Sequence, residues 1–244
     1  MSMPRSRAVL AALAPFLLLL GATGSAHAQA AQAPQAARAA APAAAPAAAW
    51  PEPAPVISRV ATDDPVVFIT IDDGWVRDPA AARLLIERRV PASLFVLPDA
   101  VAADRAYFQG LLAHGPSRVE NHTVTHPHLE QLPGAAAQRA EICGARDRQL
   151  AAFGDSPRLL RPPYGTYDET TRTAARACGA EAVVTWTHDF TTWGEWTPPT
   201  PVLQRGDIVL LHFTGDLRAD LTRALDAARA AGLRPAALRD YLPR

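Results

Sequence analysis

The stretch from Val66 to Gly74 constrains this chain more than any other. Five of its first six residues are apolar, and the run is rich in β-branched and aromatic side chains, which predicts a buried strand. The run stops at two adjacent carboxylates, Asp72 and Asp73, and then at a glycine that permits a sharp turn. Neighbouring strand residues point to opposite sides, so the two carboxylates can face different partners. The segment is either an acidic turn or one part of an active site.

The first 28 residues predict a secretory signal peptide. Arg5 and Arg7 give a positive start, residues 8–20 form an apolar core, and Ala26-His27-Ala28 fits the rule for cleavage between small residues. We therefore expect a secreted, extracellular protein, either free or associated with the cell wall. The alternative for this segment is an uncleaved membrane anchor. No later stretch of the sequence is long and apolar enough to span a membrane.

Residues 29–55 consist almost entirely of alanine, proline and glutamine, a composition that predicts a disordered linker. Residues 56–244 then have a suitable length for one catalytic domain with a sizeable core. Without the two signal-peptide arginines, the chain carries 22 basic and 24 acidic residues and has no basic run. We therefore expect no nucleic-acid partner, no stable membrane insertion after cleavage, and a monomer. The chain contains no lysine, which excludes Schiff-base catalysis by that residue.

Strand-like and helix-like segments alternate through the domain. The predicted strands are 66–71, 92–97, 117–120, 159–161, 182–186 and 207–211, and the predicted helices are 79–89, 107–113, 135–153, 168–178 and 217–231. Such alternation indicates a parallel sheet with right-handed crossovers, and both an open doubly wound sheet and a closed barrel fit it. No glycine-rich phosphate loop is present, which disfavours nucleotide binding.

Unusual polar residues collect at the ends of these strands. Asp73 follows the first strand, and His122 and His126 follow the third at a four-residue spacing that would place both on one side of a helical turn. Two histidines and a carboxylate can hold one metal ion and leave positions open for water and substrate. His128 could serve as a spare ligand, but we interpret it as a surface histidine, and His114 and His188 are interpreted as structural.

The two cysteines, Cys143 and Cys178, predict one disulfide in an exported protein. A metal site built on them is the weaker interpretation, because they lack the close spacing of zinc knuckles.

Four motifs in order resemble those of polysaccharide deacetylases of the NodB-homology type, carbohydrate esterase family 4. They are Thr70-Ile-Asp-Asp-Gly74, Asn121-His-Thr-Val-Thr-His126, Arg161-Pro-Pro-Tyr-Gly165 and Leu210-Leu-His212. The resemblance covers about residues 66–242 and implies an α/β fold, the family's irregular, TIM-like (β/α) barrel of about seven strands.

The resemblance also implies a role for each site residue. Asp73, His122 and His126 would hold one divalent metal ion, zinc before cobalt, nickel or manganese. Asp72 would be the general base with Arg161 as its charge partner, and His212 would be the general acid. The Tyr164 backbone N–H would face the oxyanion, and Leu210 and Trp193 would line the substrate pocket. These roles suit amide hydrolysis, which needs an activated water and a proton for the leaving amine.

One motif departs from the family pattern. Family members usually carry an aspartate directly before the tryptophan of the fourth motif, where it partners the catalytic histidine. Here Thr192 precedes Trp193. Either Asp189 serves instead, or His212 has no carboxylate partner.

The sequence therefore predicts a metal-dependent hydrolase that removes N-acetyl groups from an N-acetylhexosamine polymer or oligosaccharide, either peptidoglycan or chitin-like. An esterase that removes O-acetyl groups from a polysaccharide is the first alternative, since an alkoxide leaves more easily than an amine. An inactive sugar-binding domain of the same fold is the second.

Overall fold

The computed structural model describes residues 52–193 and 198–242. The predicted signal peptide and most of the predicted linker lie outside this part of the chain. The last linker residues, however, are bound to the domain: Ala54 is buried, its N–H donates to the Arg172 carbonyl, and Pro55 accepts from Val183 N–H. The ordered domain thus begins slightly before Val56. Within the described residues no helix is long and apolar enough to cross a membrane.

The described strands form one curled sheet. They are β1 (Val56–Ile57), β2 (Val66–Asp73), β3 (Ser93–Val96), β4 (Arg118–Asn121), β5 (Leu159–Leu160), β6 (Ala182–Val184), β7 (His188–Asp189), β8 (Ile208–His212) and β9 (Arg234–Pro235). Their order is β1-β6-β5-β4-β3-β2-β8-β7, with β9 paired to β2, and every strand pair is parallel. The curled sheet forms a half-barrel, which confirms the predicted irregular (β/α) barrel fold.

Six helices cover this sheet. They are α1 (Pro79–Glu87), α2 (Pro98–Ala103), α3 (Arg105–His114), α4 (Gly134–Phe153), α5 (Glu169–Ala177) and α6 (Leu217–Ala230). Local sequence explains their boundaries: Asp78 caps α1 ahead of a proline in its first turn, and Gly154 ends α4 in the left-handed conformation. Five of the six match predicted helices. The short α2 and the two-residue strands β1, β7 and β9 are too brief for a periodic signal.

Strand β2 lies inside the sheet, between β3 and β8, and seven of its eight residues are buried. Its register places Asp72 beside Phe95 on one side and beside His212 on the other. Because all neighbouring strands run parallel, their polar C-terminal residues meet at one end of the half-barrel, called here the upper end.

Two faces of the sheet carry separate cores. Outside, Ile69, Ile71 and Val209 pack under the helices with the Phe108 ring. Inside, Phe68 and Phe95 pack with Leu238, which belongs to a 3₁₀ turn, Leu238–Tyr241, near the C-terminus. That turn covers the lower end of the half-barrel, so the interior opens at the upper end.

The predicted disulfide is present. Cys143 lies in α4, Cys178 follows α5, and their Cα atoms are 5.0 Å apart. The bond joins two helices that cover neighbouring strands, and no free cysteine remains in the described residues.

Candidate active site

Asp73, His122 and His126 come together at the upper end of the half-barrel. The Asp73 Oδ1 atom is 3.4 Å from His122 Nε2 and 3.5 Å from His126 Nε2. One ligand atom from each residue lies within 4.8 Å of the other two, a spacing suited to one metal ion. The three residues that the sequence predicts as ligands therefore form one cluster.

The two histidines are not on a helical turn, however, so that part of the prediction is wrong. Residues 122–128 form an irregular loop in which Thr123 and His126 have positive φ angles of 69° and 62°. Side chains replace the hydrogen bonds of a helix: Asn121 Oδ1 accepts from Thr123 N–H, and Thr123 Oγ1 accepts from His126 N–H. Glu141 on α4 accepts from the backbone N–H groups of Val124 and Thr125. The spacing was informative, but tertiary contacts align the rings.

The donor atoms of this cluster fit a metal ion. His122 Nδ1 lies 2.8 Å from the Arg161 carbonyl, which can only accept, so the proton is on Nδ1 and Nε2 is free to bind. Asp73 Oδ1 is buried without a hydrogen-bond donor, one of four such side-chain atoms in the described residues. A cation would satisfy that oxygen.

The charges within the cluster perturb its ionisable groups. Burial alone would raise the pKa of Asp73, but the neighbouring His122 outweighs it and lowers the pKa. Burial alone would lower the pKa of His122, but the carboxylates of Asp72 and Asp73 raise it. Burial and the charge of His122 lower the pKa of His126. The pocket thus favours an ionised carboxylate and binds positive charge.

Asp72 faces a different partner from Asp73. Its Oδ1 accepts a 2.8 Å hydrogen bond from Arg161 Nη1, and both side chains are almost fully buried. Arg161 also donates to Thr70 Oγ1 at 2.7 Å and to the carbonyls of Val184 and Thr185 at 3.2 and 3.0 Å. Asp72 Oδ2 lies 3.9 Å from His122 Nε2. An arginine whose three guanidinium nitrogens all donate hydrogen bonds thus holds the second carboxylate beside the metal cluster.

Tyr164 lies across the cluster on a strained backbone. Its φ angle is 61°, its ring is half-exposed, and it contacts the His126 ring edge-on at 4.7 Å. The His128 ring stacks on its other side at 3.9 Å, so the spare histidine packs against Tyr164. A Cβ atom on Gly165 would lie 2.7 Å from Trp186, which explains why glycine follows the tyrosine.

His212 ends β8 on the far side of the cavity. Its Nδ1 lies 2.8 Å from Thr191 Oγ1, and its ring centroid is 4.8 Å from that of Trp193. Thr191 was not predicted from the sequence. Asp189, the carboxylate considered as the partner of the histidine, does not take this place in the described structure: its Oδ1 accepts from Thr191 N–H, and Thr192 faces α6.

Thr192 belongs to a buried network on α6. Its N–H and Oγ1 both donate to Asp220, at 2.9 and 2.5 Å, and Asp220 is completely buried. Arg223 pairs with Asp220 at 3.2 Å and also donates to the Phe190 carbonyl. The adjacent threonine hydroxyls therefore have different partners: that of Thr191 contacts the His212 imidazole, and that of Thr192 contacts α6.

A cavity of about 380 Å³ joins these groups. Its lining includes the metal cluster, Asp72, Tyr164, Trp193, Leu210 and His212, together with Pro162, Trp186 and Asp189. Arg161 is buried behind Asp72. Of the five non-glycine residues with positive φ in the described structure, four belong to the site or its histidine loop: Asp73, Thr123, His126 and Tyr164. Strain concentrated in this way is typical of functional sites.

Comparison with known proteins identifies the family to which the chain is similar. Residues 59–183 match the family model described as polysaccharide deacetylase. The chain is 42% identical to an uncharacterized protein of Streptomyces coelicolor over 99% of this chain and 98% of that protein. It is 34% identical to a chitooligosaccharide deacetylase of Rhizobium leguminosarum bv. phaseoli, over 62% of this chain and 69% of the relative.

Solved structures show the same fold. A family 4 carbohydrate esterase from Streptomyces lividans, determined in complex with acetate, superimposes with a TM-score of 0.62 at 27% identity. The match covers 70% of this chain and 91% of the esterase.

Proposed function

Because this chain belongs to the polysaccharide deacetylase family, we propose that it is an exported, metal-dependent hydrolase of N-acetyl groups in an N-acetylhexosamine polymer or oligosaccharide. The observation that carries the proposal is the joint position of two carboxylates in one cavity. Asp73 lies within 3.5 Å of two imidazoles, and Asp72 is held by a buried arginine. The signal-like N-terminal sequence supports export.

Asp73, His122 and His126 would hold the metal ion, most suitably zinc given two nitrogen ligands and one oxygen ligand. The ion would supply Lewis-acid activation of water and polarisation of the acetyl carbonyl. The chain itself prepares the ligands. The Arg161 carbonyl sets the His122 tautomer, and the loop hydrogen bonds of Thr123 set the direction of His126.

Asp72 is the general base in this proposal. Its Oδ1 is engaged by Arg161, whereas Oδ2 faces the His122 side of the cavity. The arginine fixes the carboxylate in position and balances its charge, so a proton can be accepted on the free oxygen. Hydrogen bonds to Thr70, Val184 and Thr185 hold the guanidinium in place beside Asp72.

The remaining residues recognise the acetyl group and assist departure of the product. The Tyr164 N–H would stabilise the oxyanion, Leu210 would contact the methyl group, and Trp193 would form the outer wall. His212, on the opposite side from Asp72, would donate a hydrogen bond or proton to the leaving group. Exposed rings of Tyr164 and Trp193 suit contact with sugar rings.

Acetate release from chitooligosaccharide, peptidoglycan and acetylated xylan, measured together with metal content, tests the proposal. We expect one divalent ion per chain and acetate release from an N-acetylated substrate, and loss of both after chelation. The Asp72→Asn variant is the control, because it should keep the metal and lose activity. A metal-loaded, folded parent that releases no acetate from any of the three would indicate an inactive sugar-binding domain.

The second candidate is O-acetyl ester hydrolysis, which one observation favours. The partner of His212 is a hydroxyl group rather than a carboxylate, and an ester depends less than an amide on protonation of its leaving group. Acetate release from acetylated xylan, with none from chitooligosaccharide or peptidoglycan, would select this alternative.

A further inference from the structure

We propose that Thr191 is the positioning residue of His212, and that its hydroxyl donates to Nδ1 so that Nε2 carries the proton toward the cavity. The inference deepens the proposed function, on which the role of His212 rests. The observation behind it is the 2.8 Å contact between Thr191 Oγ1 and His212 Nδ1. His212 thus has a neutral hydroxyl partner that can donate a hydrogen bond, where the family pattern has a carboxylate.

The direction of this hydrogen bond follows from burial. Thr191 is only 1% exposed, and within the described residues the His212 nitrogen is the sole hydrogen-bond partner of its hydroxyl. If Nδ1–H donated to the hydroxyl, the threonine hydrogen would be buried without an acceptor, which costs free energy. Donation from the hydroxyl to an unprotonated Nδ1 satisfies both groups.

The loop that carries Thr191 is held on both sides of it. Asp189 Oδ1 accepts from Thr191 N–H, and Thr192 is bound to the buried Asp220 on α6. Arg223 reaches the Phe190 carbonyl and Thr192 Oγ1 from the same helix. The hydroxyl is therefore presented by a rigid support, as a positioning group requires.

A neutral partner has a chemical consequence. An imidazole with hydrogen on Nε2 is a hydrogen-bond donor to a departing oxygen, which can leave with its charge only partly neutralised. A departing amine nitrogen needs a full proton. Asp73 and His126 of the metal cluster interact electrostatically with His212, whereas its Nδ1 atom contacts the neutral Thr191 hydroxyl. We therefore infer that this chain discriminates between leaving groups more steeply than an enzyme whose histidine has a carboxylate partner.

The first test reads the tautomer without any need for activity. Long-range ¹⁵N–¹H spectra of the metal-loaded protein at alkaline pH report which nitrogen of each neutral histidine carries hydrogen, and the His212→Gln variant identifies the His212 signals. We expect hydrogen on Nε2 in the parent and in Thr191→Ser, and a changed or averaged pattern in Thr191→Val. Hydrogen on Nδ1 in the parent, or identical spectra in Thr191→Val, would overturn the proposal.

The second test measures kcat and KM on an N-acetylated oligosaccharide and on an aryl acetate. Thr191→Val should lower kcat on the amide by about tenfold or more with little change in KM, and lower it less on the ester. Thr191→Ser should restore most of the amide rate. Thr191→Asp should raise the ratio of amide to ester kcat and move the basic limb of the amide profile to higher pH.

Thr192→Val is the matched control, because it removes a hydroxyl from the adjacent residue that faces α6. We expect it to lower stability while the His212 tautomer pattern stays that of the parent. Equal kinetic effects of the two valine variants would show that loop stability, and not the Thr191 hydroxyl, is responsible. If the parent released no acetate at all, the proposed function would fail while the spectra still decided the tautomer.

Discussion

Two buried arginine–carboxylate pairs lie in the interior of the half-barrel, and they have different consequences. The upper pair is Asp72 with Arg161 at the open end. The lower pair is Glu120 with Arg239 at the end covered by the C-terminal 3₁₀ turn. Phe95 lies between them: its ring is 4.3 Å below the Arg161 guanidinium carbon, and its strand neighbour in register is Glu120.

The difference lies in how the two carboxylates are satisfied. Both oxygens of Glu120 accept hydrogen bonds, one from Arg239 and the other from the N–H groups of Arg158 and Leu159. Asp72 uses one oxygen for Arg161 and leaves the other toward the cavity. A carboxylate with an unused oxygen can exchange a proton with a substrate or water, whereas a saturated one holds elements together. In the proposed function, the same residue types thus serve chemistry at one end and closure at the other.

The largest expected effect is the loss of activity in Asp72→Asn. An amide retains most of the shape of the side chain but cannot accept a proton, so kcat should fall by about 10²–10⁴-fold while metal content stays at one ion per chain. Rates of acetate release and metal analysis on the same sample check this. Glu120→Gln, the same chemical change in the lower pair, should keep its kcat. Loss of metal from Asp72→Asn would show that the roles of Asp72 and Asp73 are exchanged.

The second effect is on stability at the lower pair. Arg239→Met leaves Glu120 buried without its cation, and breaking a buried pair costs about 3–5 kcal/mol in the free energy of unfolding. Urea denaturation of the metal-loaded protein measures it. Burial raises the pKa of Glu120 even with Arg239 present. A raised folded-state pKa means that stability is lost as pH rises through it, so the penalty in Arg239→Met should shrink when the pH is lowered. A penalty that is the same at every pH would contradict this account.

The third effect is the pH dependence of metal affinity at the upper end. The pKa of His122 is raised in the metal-free protein, so an ion has to displace its proton. Apparent zinc affinity should rise by up to about tenfold per pH unit below that raised pKa and level off above it. Chelator competition at several pH values measures this slope.

The same titration of zinc affinity against pH distinguishes the upper pair from the lower pair. Asp72→Asn removes a charge that raises the pKa of His122, so the plateau should begin at lower pH. Glu120→Gln should leave the curve unchanged. An affinity that does not vary with pH in the parent would mean that His122 is neutral before the metal binds.

The smallest effect is expected at a third arginine–carboxylate pair, which is partly exposed. Arg158 donates to both oxygens of Glu181 at 2.7 Å, and about a third of the arginine side chain is exposed. Solvent screening limits such a pair to about 1 kcal/mol or less, so Glu181→Gln should change the urea midpoint only slightly. A loss of unfolding free energy as large as that in Arg239→Met would mean that burial does not explain the difference in stability between the two pairs.

Much of the site was predictable from particular residues. The adjacent carboxylates after a β-branched run, the two histidines four residues apart and the arginine before Pro-Pro-Tyr each stand at a strand end, and parallel strands bring such ends together. The structure places Asp73 against both histidines and Arg161 against Asp72. The disulfide between Cys143 and Cys178 was predicted from the number of cysteines and the expected export.

The support around these residues was not predictable. A helical turn was expected for the histidine pair, but Asn121 and Thr123 side chains hold an irregular loop instead. Glu120 gave no signal, because its partner lies 119 residues away in the chain. Strand-end position identifies which residues can react, but not which distant side chains will hold them.

The sequence by itself determined the chemistry of this protein: two carboxylates, two imidazoles, an arginine and a third histidine, all at the ends of strands whose parallel order follows from alternation with helices. Only the tertiary structure decided the partner of His212. Thr191 and Thr192 are the same residue type in consecutive positions, and no local pattern distinguishes them. The buried Asp220 on α6 takes the second, which turns the first toward the imidazole. The physical reason is that a buried carboxylate has to be hydrogen-bonded, and α6 brings that carboxylate to the loop only after the chain has folded.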